Sequence, residues 1–168
     1  MDSLVQKLTK DFPAIQFTAG RIFCWSPAAQ EIVYNPSKAK PSGRWAVLHE
    51  LSHALLGHEN YSYDFELIKL EVAAWHKAQE IQSGYGLKIS TEHIQNCLDT
   101  YRDWLYRRSL CPTCGNSSLQ QNPTRYQCFN CHTVWKVTAA RFCRPYRRTH
   151  LKENEKSPEL IKAQATFL

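Results

Sequence analysis

The chain has 168 residues, of which 43% are hydrophobic and 12% aromatic, enough for one folded domain with its own core and a small appendage. No stretch approaches the roughly 18 apolar residues of a membrane span. The N-terminus lacks the apolar segment of a secretory signal. These features exclude a membrane-spanning protein and predict a soluble, cytoplasmic one that binds no membrane.

The net charge of +6 lies almost entirely in the C-terminal third of the chain. Residues 1–103 carry 10 Lys/Arg and 12 Asp/Glu, whereas residues 104–152 carry nine Lys/Arg and no acidic residue. A step of this size indicates a change in surface function, and we interpret it as a domain boundary as well.

The first 40 residues predict one helix followed by a small sheet. Apolar residues recur at helical spacing over 3–12, and Pro13 ends that pattern. Three short runs rich in β-favouring residues then predict two or three strands of an antiparallel sheet, at 14–20, 21–26 and 31–35.

Three longer helices are predicted after the sheet, so the fold class is α+β. The first covers 43–56, with Ser42 as N-cap and Gly57 directly beyond its end. The second covers 63–82 and is stopped by Gly84 and Gly86. The third begins at Ser90 or Thr91 and ends near residue 108.

The segment LHELSHALLGH, residues 48–58, places His49 and His53 four residues apart, with Glu50 directly after the first. Side chains at i and i+4 lie on one face of a helix, so both imidazoles can bind one cation. Glu50 is rotated by about 100° from His49 and can face a water on the metal. This HExxH pattern predicts His49 and His53 as zinc ligands and Glu50 as the general base. The alternative is a helix that carries these histidines by chance.

A catalytic zinc needs a third protein ligand, and the next predicted helix offers two. Glu71 is flanked by small residues that let two helices pack closely, and Glu66 is the competing ligand. His58 lies off the ligand face, and we interpret it as a structural residue or an outer partner of a ligand. Three residues are candidates for an oxyanion donor, although core packing explains each equally well: Tyr61, Tyr63 and His76.

HELSHALLGH followed by EVAAWHKAQEI resembles the ImmA/IrrE family of gluzincin metallopeptidases, over roughly residues 12–85. The resemblance implies His49, His53 and Glu71 as ligands of a catalytic zinc, and Glu50 as the base that deprotonates a zinc-activated water. Family members cut a specific DNA-binding repressor at one site, so it also implies a protein substrate, namely a transcriptional repressor. By the same resemblance, an extended substrate would pair with the strand before the HExxH helix, residues 31–35.

Two CxxC pairs, CPTCG at 111–115 and CFNCH at 128–132, follow in the basic part of the chain. Each pair points two thiolates at one ion, and two pairs close a tetrahedral site. We predict a zinc ribbon and therefore two zinc ions per chain, one catalytic and one structural. A redox dithiol and a rubredoxin-type iron centre are the alternatives. The ligands of the structural zinc would be Cys111, Cys114, Cys128 and Cys131.

The remaining cysteines, Cys24, Cys97 and Cys143, are scattered along the chain. An odd count with this clustering suits metal binding in a reducing compartment better than a disulfide framework.

Basic and aromatic side chains alternate around the ribbon and continue into the tail. This pattern is typical of phosphate contacts and base stacking, and it predicts nucleic-acid binding. The same charge is equally consistent with docking of an acidic protein substrate. The residues concerned are Arg107, Arg108, Arg125, Tyr126, Trp135, Lys136 and the segment RFCRPYRR.

We therefore predict a zincin-like metallopeptidase domain over 1–106, a zinc ribbon over 107–140 and a basic tail over 141–168. The predicted function is a zinc-dependent endopeptidase, site-specific on a regulatory or DNA-bound protein.

Two other functions stay open. One is a SprT-like DNA-associated protease, a family that also joins HExxH to a C-terminal ribbon. Its third ligand is a histidine at a position where this chain has Ile68. The other is a non-catalytic zinc-ribbon module that binds nucleic acid or protein. In that case HExxH would hold a structural metal, with His58 or His76 as a fourth ligand.

Overall fold

The computed structural model describes residues 1–137 and the backbone of residues 147–148. Four helices and seven strands confirm the α+β class. In chain order they are α1 (Asp2–Asp11), β1 (Gln16–Ala19), β2 (Cys24–Ser26), β3 (Glu31–Tyr34), α2 (Pro41–Leu55), α3 (Asp64–Ile81), α4 (Thr91–Ser109), β4 (Leu119–Asn122), β5 (Arg125–Gln127), β6 (Val134–Val137) and β7 (Arg147–Arg148). Within the described ranges no helix is both long and apolar enough to cross a membrane.

The described residues form two compact units. The first comprises residues 1–60 and 69–97, and the second comprises residues 61–68 together with those from 98 onward. The predicted boundaries at 106/107 and 140/141 stay predictions. The predicted basic tail lies outside the described residues, apart from the backbone of β7.

The sheet of the first unit has the order β1-β3-β2. The expected antiparallel pairing is present between β2 and β3, with Trp25 opposite Ile32. Strand β1 runs parallel to β3, because two chain reversals separate these strands. Both edges of β3 are therefore occupied, so the expectation that an extended substrate pairs with residues 31–35 is wrong. The strands with a free edge in this sheet are β1 and β2.

Helix α2 forms the centre of the first unit, in contact with β2 and β3. It is buried on almost every side from Ala46 to Ser52, so its histidines lie in the interior. The helix begins at Pro41 with Lys40 as N-cap, which makes the prediction of a Ser42 cap wrong. Proline suits the first helical position because its φ is already helical and its missing N–H leaves nothing unsatisfied. Gly57 follows the helix with φ 63°, as predicted.

The second unit holds a small sheet in the order β4-β5-β6-β7 and its own core. The rings of Tyr126 and Trp135 stack at 5.5 Å, and both are fully buried. Beneath them, Nε of Arg108 donates to Oδ2 of Asp64 over 2.6 Å, and the Tyr126 hydroxyl donates to the same oxygen. The other carboxylate oxygen of Asp64, Oδ1, accepts a second hydrogen bond from Arg108. This unit therefore buries an ion pair in which both oxygens of Asp64 are hydrogen-bonded.

Candidate metal centres and the acidic side chain of the HExxH helix

Three predicted ligands meet in the interior of the first unit. Nε2 of His49 lies 3.1 Å from Nε2 of His53 and 3.1 Å from Oε2 of Glu71, and Nε2 of His53 lies 3.7 Å from Oε1 of Glu71. Helix α2 supplies both imidazoles from consecutive turns, and α3 supplies the carboxylate. Two nitrogens and one carboxylate, all within 4.8 Å of one another, can hold one metal ion.

The Glu71 carboxylate is ionised despite its burial. Burial raises the pKa of this carboxyl, but the hydrogen bond with His49 and the nearby imidazole of His53 outweigh burial and hold the pKa below its ordinary range. A bound cation would act in the same direction as the two imidazoles. The site therefore presents the buried negative charge of Glu71 to a cation held by the two histidines.

The two histidine rings are fixed in different ways. Nδ1 of His53 lies 2.9 Å from Nδ1 of His58, which follows the end of α2. Burial and the neighbouring charge of His53 lower the pKa of His58 to about 4, so its ring is neutral near pH 7 and its Nδ1 can accept a hydrogen bond from the Nδ1–H of His53. The His49 ring instead stacks on Trp75 with centroids 4.2 Å apart. A hydrogen-bonding partner such as His58, which is not itself a metal ligand, orients the ligand and sets its tautomer.

The Glu50 carboxylate is held by the sheet. The main-chain N–H of Trp25 in β2 donates to Oε2 of Glu50 over 2.8 Å, and Glu50 is only 5% exposed. The indole N–H of the same tryptophan donates to the carbonyl of His58 over 3.0 Å. One residue of β2 thus positions the acidic side chain of the HExxH helix and the segment that follows the helix.

The competing ligand and the oxyanion candidates lie elsewhere. Oε2 of Glu66 accepts the main-chain N–H groups of Ser62 and Tyr63 at the start of α3, and Glu66 is not part of the three-residue cluster. His76 is exposed on α3. Tyr61 and Tyr63 belong to the second unit. Of the two glutamates considered, the structure therefore brings only Glu71 to the histidines.

The four predicted cysteines of the ribbon also converge. Sγ of Cys111 lies 3.5 Å from Sγ of Cys131, and Sγ of Cys114 lies 3.5 Å from Sγ of Cys128. All four sulfurs lie within 4.8 Å of one another, in the second unit. Four thiolates at this spacing suit a tetrahedral zinc and leave no open position for chemistry.

Each CxxC pair is a tight turn completed by a left-handed residue. Gly115 has φ 73° and His132 has φ 57°, and each donates its main-chain N–H to the carbonyl of the first cysteine of its pair. Further N–H groups point at the sulfurs. The N–H of Cys131 lowers the pKa of the Cys128 thiol to about 6, which favours the thiolate that a metal requires.

Part of the predicted nucleic-acid surface is buried, and that part of the prediction is wrong. Arg108 is 2% exposed and paired with Asp64, while Tyr126 and Trp135 form the core of the ribbon. None of these three can contact phosphates or stack on bases. Arg107 and Arg125 are exposed, and RFCRPYRR lies almost wholly outside the described residues.

Sequence reasoning missed several residues that shape the first unit's site. Trp25 acts through its main-chain N–H, which no sequence pattern reports. The sequence predicts Trp75 only as an apolar residue of a helix. His93 and Cys97, whose Nε2 and Sγ lie 3.6 Å apart, repeat the four-residue spacing of His49 and His53, and this spacing could have singled them out.

Comparison with protein families identifies a domain family. The model of the peptidase M78 family, described as the IrrE N-terminal-like domain, matches residues 12–143, which is more than half of the chain. No curated protein and no solved structure matches the chain.

Proposed function

The chain belongs to the M78 metallopeptidase family, and we propose that it is a zinc-dependent endopeptidase that cleaves a regulatory or DNA-bound protein at a specific site. The observation that carries the proposal is the meeting of His49, His53 and Glu71 on two neighbouring helices, one of which also bears Glu50. A transcriptional repressor is the substrate class that we favour, since the resemblance to the ImmA/IrrE family implies one.

The donor set of the first unit fits a catalytic zinc. Two imidazoles and one carboxylate are the ligands of a zinc hydrolase that keeps a position open for water or substrate. The contact between His53 and His58 is the outer support that such a ligand requires. When bound there, zinc lowers the pKa of water towards neutrality and polarises the scissile carbonyl.

Glu50 would move the proton. Its Oε2 is held by the Trp25 N–H, so its other oxygen can take a proton from the attacking water and return it to the leaving amine. The same carboxylate makes both transfers. Because its orientation is already fixed in the folded protein, no side-chain entropy is lost during the reaction. We propose the four-cysteine site as a second, structural zinc.

The carboxylate of Glu71 also separates this proposal from the alternatives. A SprT-like protease would need a histidine where Ile68 stands, and isoleucine offers no metal donor. A purely structural metal at HExxH would need a fourth protein ligand. In the described residues the cluster has three members, while His76 is exposed. We place the protein in the cytoplasm, because its four clustered thiols need a reducing compartment.

The test is a search for protein termini that depend on Glu50. Zinc-loaded wild type, Glu50→Gln and the exposed-site control Glu92→Gln would each be added to an extract of the protein's own cells, and new N-termini identified by mass spectrometry. We expect one or a few cleaved proteins with wild type and the control, and none with Glu50→Gln. Identical termini with all three would contradict the proposal. Cleavage that requires added DNA would favour the SprT-like alternative.

A further inference from the structure

A cavity of about 490 Å³ lies beside the three-residue cluster in the first unit and shares a wall with it. His49 lines the cavity, and so does Trp75, which stacks on the His49 ring. An occupant of this cavity would therefore contact the residue that holds zinc under the proposed function. The volume is sufficient for one or two side chains of a bound peptide.

The walls of the cavity differ in chemistry. One wall is apolar and buried, and consists of Phe23, Ala46 and Trp75. Another part of the lining comes from the segment before α2 and includes Lys38 and Lys40, which are exposed. No aspartate or glutamate is present among the described residues that line the cavity. The two lysines at the edge of the cavity therefore have no acidic partner among its described lining residues.

A glycine holds the lysine segment in place. A Cβ atom at Gly43, in the first turn of α2, would collide with the main-chain carbonyl of Lys38. The absence of a side chain at residue 43 therefore lets residues 38–40 pass directly over the start of the helix. This close approach forms the positively charged side of the cavity.

The remaining wall carries no carboxylate among the described residues. His93 and Cys97 line the cavity from α4. The Glu71 carboxylate lies 3.1 Å from His49 and is not among the described lining residues, so the charged side chains that an occupant meets directly are Lys38 and Lys40.

We propose that this cavity receives an acidic side chain of the peptide substrate, next to the bond that is cut. An aspartate or glutamate has a short apolar stem, which suits the wall of Phe23 and Trp75, and a carboxylate, which suits Lys38 and Lys40. The inference rests on the proposed function and deepens it, because it assigns specificity to the same site. Lys38 and Lys40 are then residues that determine which substrates are cut.

The test measures binding separately from cleavage. The full chain with Glu50→Gln and zinc would be immobilised and exposed to acetylated, amidated peptides that occur in pairs with Glu or Gln at one position. We expect Glu peptides to be retained about fivefold more than their Gln partners, the size of a partly exposed ion pair. Adding Lys38→Glu with Lys40→Glu should abolish that preference. Adding Lys10→Glu with Lys88→Glu, which changes the charge equally at exposed lysines outside the cavity, should leave it intact.

Two results would overturn the inference: equal retention of Glu and Gln peptides, or an equal effect of both double substitutions. A preference for Glu peptides combined with no protein cleavage by wild type would reject the proposed function and leave the carboxylate site standing. Failure of the two proposals is therefore distinguishable.

Discussion

The main-chain N–H of Trp25 donates a hydrogen bond to Oε2 of Glu50 over 2.8 Å. Trp25 is the middle residue of β2, which pairs with β3 along one edge only. Its N–H lies on the other edge of β2 and points towards α2. The sheet thus supports the carboxylate that the HExxH pattern places beside the first histidine. The same strand, and not β3, presents its free edge to the helix of the metal cluster.

Glu50→Gln should abolish proteolysis while leaving zinc bound. The amide oxygen of glutamine can still accept the Trp25 N–H, so the fold should be preserved, but the amide cannot take a proton. We expect cleavage of the natural substrate to fall by about 10²–10⁴-fold, the usual contribution of a general base. Initial rates and zinc content, measured on the same preparations, check this. Full activity in Glu50→Gln would exclude the proton-transfer role.

His58→Ala should weaken zinc at the histidine site. The substitution removes the partner that orients the His53 ring through a 2.9 Å contact. Loss of an outer partner typically costs about 10–100-fold in metal affinity. Competition with a chelator, followed by elemental analysis, measures the change. His76→Ala is the matched control, because His76 is exposed on α3. The zinc affinity of this variant should equal that of wild type.

Gly43→Ala should destabilise the first unit, whereas Gly84→Ala should not. A methyl group at residue 43 meets the carbonyl of Lys38, but at residue 84 it meets nothing within 4 Å. Overpacking of this kind costs about 1–3 kcal/mol in the free energy of unfolding. Chemical denaturation of both variants tests the difference. Equal stabilities would show that residues 38–40 move aside easily, and would weaken the description of the cavity wall.

Asp64→Asn should destabilise the second unit strongly. Asp64 accepts from Arg108 and Tyr126 in the interior, and the substitution leaves the guanidinium buried without its counter-charge. Breaking a buried pair in this way costs about 3–5 kcal/mol. Asp99→Asn breaks an ion pair with Arg102 between two exposed side chains and should cost under about 1 kcal/mol. Denaturation curves of the two variants provide the comparison.

The elements that depend on local patterns were predictable from the sequence. Terminal signals located α2 and α4, apolar spacing located α3, and the spacing of His49 and His53 placed both on one face of α2. The two CxxC pairs likewise predicted the four-sulfur cluster. Glu71 could be proposed because it lies on a helix able to pack closely against the first.

Tertiary pairing was not predictable, because it depends on contacts distant in sequence. Nothing near β1 shows that β3 will lie between β1 and β2, and this order removed residues 31–35 as a substrate edge. From the sequence Arg108 is expected at the surface. In the structure it is paired with Asp64, which lies 44 residues away in the chain. The hydrogen bond from Trp25 uses the main chain, which is identical for every non-proline residue at that position.

Zinc per chain, measured by elemental analysis on wild type, Glu71→Ala and Cys111→Ser, shows whether the protein has two independent metal sites. We expect two zinc ions in wild type and close to one in each variant, since each substitution removes a ligand of a different site. Glu66→Ala, which alters the glutamate outside the cluster, should retain two. One zinc in wild type, unchanged by Glu71→Ala, would reject the proposed catalytic zinc, because the histidines of α2 would then hold no metal that depends on Glu71.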